Sequence, residues 1–174
     1  MKRITLLLGM GMFYVLCCSA AYAADFDKFK DIAHTTMSKV TSGDVKDADI
    51  EKLIKMQEEL ITIGKSAMQE YSKLHPDTSK MMGLIINKAD SMASLSLPEI
   101  EAQWHEKGYL KSQGVSEAQL EEKSVTGSLM DTVVHPATAI IALREYKKSK
   151  DKNLLQQVND ELEEVVHHVE RIKM

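Results

Sequence analysis

The chain has only two cysteines in 174 residues, and both, Cys17 and Cys18, fall within its first eighteen positions. Once that segment is set aside as an export signal, the remainder has no disulfide, thiolate nucleophile, thioether-linked haem or cysteine metal site. Aromatic residues make up 5% of the chain and prolines number three. That scarcity, with no sustained period-two alternation, argues against a sheet protein. Long apolar runs are missing too: the longest, residues 4–16, is too short to span a bilayer comfortably. Several catalytic signatures are absent, namely His-Glu-x-x-His, the phosphate-binding loop and Gly-x-Ser-x-Gly.

The first residues carry the marks of export. Lys2 and Arg3 precede the apolar run, and Ala21-Tyr22-Ala23 offers the small residues signal peptidase accepts, predicting cleavage before Ala24. A lipid anchor on Cys17 or Cys18 is the competing outcome, but neither has the small preceding residue such anchoring needs. The expected mature protein is residues 24–174, a single periplasmic or secreted domain of 151 residues. Losing two positive charges takes the formal net charge from −4 to −6, which disfavours nucleic acid and anionic membrane surfaces as partners.

Glu, Lys, Gln, Leu, Met and Ala dominate the remainder, a composition that favours helices. Apolar residues recur at three- and four-residue intervals from Phe26 to Val40, from Ile50 to Leu74, from Met82 to Ala93 and from Leu155 to Ile172. His75-Pro76 should end the second helix, and Ser96 with Glu99 forms a capping box for a short one. Residues 109–127 are the least regular. His135-Pro136 suggests a loop followed by a helix starting at Pro136, with a kinked helix as the alternative. The expected architecture is an all-α, antiparallel bundle of four main helices with an irregular excursion between the third and fourth.

Five of the six histidines follow an acid by three or four residues: Asp31 before His34, Glu101 before His105, Asp131 before His135, and Glu164 before His167 and His168. Such spacing places carboxylate and imidazole on one helix face, where they can hold a metal or orient a ring nitrogen. The simpler account is helix stabilisation on a solvated face. Glu164 and His168 are the metal candidates. Glu164-x-x-His167 has di-metal bundle spacing, but the long second helix lacks an inward acid and His167 should face water.

A non-covalent haem between His168 and Met37, with Gly64 and Ala67 making room, is a second carrier possibility. It is similar to the cytochrome b562 type of bundle in position and element order alone. Copper on Met81, Met82, Met92 and His75 is a third, against which core packing by methionine is the better account. Trp104, His105, Tyr109 and His135 form the candidate contact surface for a protein or small ligand, since aromatics dominate interface energetics; the alternative is an aromatic plug sealing the excursion. The leading expectation is an exported, non-enzymatic binding protein. A haem- or transition-metal carrier is the alternative.

Overall fold

The computed structural model describes residues 10–173 apart from 44, 122 and 123, with side chains from Phe26 to Ile172. Lys2, Arg3 and the start of the apolar run lie outside the described residues. Among the described residues there is no strand, and the chain forms seven α-helices joined by short turns: α1 (Met10–Thr41), α2 (Asp47–Leu74), α3 (Ser79–Met92), α4 (Leu97–Ile100), α5 (Gly108–Ser112), α6 (Val125–Ser149) and α7 (Lys152–Lys173).

The four long helices pack in a ring, α1 on α2, α2 on α6, α6 on α7 and α7 on α1. Cross-helix pairs fix their directions. Lys147 meets Glu51 while Lys150 meets Asp47, so α6 rises as α2 descends. His135 meets Glu161 while His168 meets Asp131, so α7 is antiparallel to α6 as well. The third expected helix, α3, lies outside this ring and packs on α2 and α6. The excursion is therefore everything from residue 75 to 124, between the second and third helices of the ring.

Local signals account for the helix ends. Ser96 donates from both its N–H and its Oγ to Glu99, at 2.8 and 2.7 Å, to open α4. Asp151 accepts from the Asn153 N–H at 3.0 Å to open α7. The α2 N-cap is Lys46 without a side-chain cap, and Asp47 and Asp49 sit inside the first turn, where they complement the helix dipole instead.

The expected break at His135-Pro136 is corrected: α6 runs unbroken through Pro136. Proline leaves the carbonyl of Thr132 without its intrahelical donor. Burial outweighs that loss, because nearly every residue from Thr126 to Leu143 is buried on all sides of the helix. Gly64 of α2 faces this point, and a Cβ there would lie 2.5 Å from Thr132 Oγ1 and 2.9 Å from Thr132 O. The space at Gly64 is thus taken by α6, and none remains there for a cofactor. Gly127, at the end of the stretch that read as least regular, is helical and lets the first turn of α6 close over Glu121 O, 2.6 Å from an added Cβ.

The core runs through the whole ring, from Phe26 and Phe29 to Leu162, Val165 and Val169. Met81, Met82 and Met92 are all buried in it, with His75 exposed and stacked on Tyr71. These methionines pack rather than gather at a surface.

Candidate metal centre

Between α4 and α5 the chain makes one turn of π-helix over Glu101–His105, closed by the Glu106 N–H on Glu101 O at 2.9 Å. Such turns recur at functional sites because they re-aim side chains that a regular helix would spread. This one puts Trp104 into the core and turns Glu101 and His105 towards α6 and α7. Lys107, at φ 63°, stops the turn and donates from Nζ to Leu120 O at 2.6 Å.

Eight side chains line the resulting cavity of about 360 Å³: Glu101, His105, Lys107, Asp131, His135, Glu161, Glu164 and His168. Three segments supply them: the π turn with Lys107 just after it, the middle of α6 and residues 161–168 of α7. The histidines form a row. His135 lies 5.1 Å, centroid to centroid, from His105 in an edge arrangement and 5.6 Å from His168 in a stacked one. His135 and His168 are 3% and 2% exposed, while Glu101 and Glu164 at the mouth are exposed.

Each end of the row has its own acid. His135 Nδ1 lies 2.7 Å from Glu161 Oε2, and His105 Nε2 lies 3.8 Å from the same oxygen. His168 Nδ1 lies 3.3 Å from Asp131 Oδ2, with Arg171 Nη1 at 3.4 Å and Ser128 Oγ at 3.5 Å, while its Nε2 faces Glu164 at 3.8 Å. His105 Nε2 is also 2.9 Å from Thr138 Oγ1. That hydroxyl already donates its proton to Val134 O at 3.0 Å, so Nε2 is the donor and carries the ring proton.

Burial dominates the electrostatics. It pushes the His135 imidazole down to about 4 and the Glu161 carboxyl up to about 7, and it lowers His105 against the pull of Glu161. The metal-free pair of His135 and Glu161 is therefore held close to neutrality with a proton between them. Imidazoles kept unprotonated, beside carboxylates that a cation would ionise, are the donor set divalent transition metals select. In two groups, His105 with His135 and Glu161, and Asp131 with His135 and His168, the donor atoms all lie within 4.8 Å of one another. A tetrahedral ion needs roughly 3.3 Å between donors, from bonds of about 2.0–2.1 Å.

The expected site residues separate cleanly. His168 faces inward and His167 is on the exposed side of α7, 3.9 Å from Glu170. Glu164 and His168 join the cavity as a pair. His105 and His135, expected at a contact surface, stand inside the site instead. Trp104 is 2% exposed and meets Tyr109 in a tilted ring contact at 5.1 Å, and Tyr109 packs against the core under Lys88, so these two act as the plug of the excursion. Met37 packs half-buried against the core and is not among the residues lining the cavity.

Glu161 and Lys107 escaped sequence reasoning. Glu161 has no histidine three or four residues after it, since its partners lie on other helices. Lys107 sits beside Gly108, a pair that in sequence reads only as the end of the short helix opened by Ser96. No family model, curated protein or solved structure matches this chain, so its function is argued from the geometry alone.

Proposed function

We propose that this chain is an exported helical-bundle protein that works by binding a divalent transition metal in the cavity between the π turn, α6 and α7. The observation that carries the reading is the row of three imidazoles from three separate elements, two of them almost wholly buried, flanked by Glu161 and Asp131. Ordinary core histidines do not gather three deep among four carboxylates. Those carboxylates and the open mouth suit a hydrated cation and suit an apolar tetrapyrrole badly, and the haem alternative with Met37 draws no support from the cavity walls. Export is part of the proposal and rests on Lys2, Arg3, the apolar run and Ala21-Tyr22-Ala23. Among the described residues no helix is long and apolar enough to cross a membrane.

Zinc titration of the chelator-treated, tag-free protein tests the reading. His168→Ala should weaken zinc binding by roughly 100-fold, and His167→Ala should leave it within about twofold. Wild type that takes up no zinc, copper(II) or nickel overturns the proposal.

A further inference from the structure

The cavity holds more donors than one ion can use. Three imidazoles and four carboxylates face it, whereas a zinc ion takes four ligands and an octahedral ion six. The donors are also divided. Glu161 serves the end of the row near His105, Asp131 serves the end near His168, and His135 belongs to both groups.

We propose that the cavity holds two divalent transition-metal ions, one held by His105, His135 and Glu161 and the other by Asp131, His135 and His168. The proposal rests on the metal-binding reading above and gives it a stoichiometry. His135 serves one ion with each ring nitrogen, which requires it to release its ring proton to solvent. His105 must pass its proton from Nε2 to Nδ1, giving up the bond to Thr138, before Nε2 can ligate beside Glu161. The place of His135 between the rings of His105 and His168 is the one position in the row from which one ring can serve both ions. Glu101 and Glu164 at the mouth stand ready to complete the coordination, Glu164 beside His168 and Glu101 one π turn before His105. The pattern differs from the Glu-x-x-His motif of di-metal helical bundles, since His167, the histidine of that motif here, points away.

Zinc per chain, measured by elemental analysis after equilibration with excess zinc and desalting, should be two in wild type. It should fall to one in His105→Ala, which keeps Asp131, His135 and His168, and to one in Asp131→Asn, which keeps His105, His135 and Glu161. Copper(II) supplies a signature that a purely structural role would not move. Two copper ions sharing the His135 ring couple magnetically, so the resonance intensity at two equivalents should fall well below the copper content, and at one equivalent it should match it. Far-UV circular dichroism confirms that each variant is folded. One zinc per wild-type chain overturns this inference and leaves the single-ion reading intact, while none overturns both. Two ions retained in folded His135→Ala, or full copper intensity at two equivalents, overturns the shared histidine.

Discussion

His135 Nδ1 and Glu161 Oε2 lie 2.7 Å apart, tying the proline-bearing turn of α6 to the middle of α7 across 26 residues of sequence. Burial shifts both groups, and in opposite senses for stability. Glu161 is raised from 4.5 to about 7, so the stability it contributes is fully present below pH 4.5 and is lost as pH rises through 7. His135 is lowered from 6.5 to about 4, so its contribution is present above pH 6.5 and is lost as pH falls towards 4.

Metal-free Glu161→Gln keeps a neutral partner for His135 and removes the loss at high pH. Its stability should match wild type near pH 4.5 and exceed it by up to about 3 kcal/mol at pH 8, the equivalent of the full carboxyl shift. Denaturant midpoints in the presence of chelator read this directly. Parallel profiles for the two proteins would show that the carboxyl is not held protonated by its surroundings.

Gly64→Ala should cost about 1–3 kcal/mol, because the new methyl meets the backbone carbonyl of Thr132, which cannot turn aside as a flexible side chain would. Gly83→Ala in α3 meets nothing within 4 Å and should stabilise by up to about 1 kcal/mol through helix propensity. Thermal melts of the two variants should therefore move in opposite directions.

Leu162→Ala removes a wholly buried side chain from the inner stripe of α7 and should destabilise the fold by about 2–5 kcal/mol. Glu163→Ala, exposed one position along, should change stability by less than about 0.5 kcal/mol. Equal effects in a urea titration would contradict the assigned face.

Exported protein should begin at Ala24, one residue short of Asp25, which would then supply an acid to the first turn of α1. Intact mass decides between this and a diacylglyceryl adduct on Cys17 or Cys18.

The stripes of α2 and α7 were legible in the sequence because each helix has one wet and one dry face, and the heptad-like spacing records that division directly. α6 was not, since a helix buried all round carries no such contrast and Pro136 then reads as a start. The site was half legible. Glu101 with His105, Asp131 with His135, and Glu164 with His168 are acid-histidine pairs at a spacing of four, and all three converge on the cavity. Glu163 and His167 share that spacing yet face solvent. What separates them is which face the rest of the helix buries, and what joins the three true pairs is tertiary: spacing on one helix says nothing of a partner sixty residues away.

The donors of the site come from residues 101–107, 131–135 and 161–168, and no one of these segments holds the set. An unfolded chain consequently offers only scattered, weakly competing ligands, and the full donor set exists only in the folded bundle. Under the metal-binding proposal, the ion taken up would then depend on which metals are present where folding finishes, making the place of folding as much a determinant as the ligands themselves.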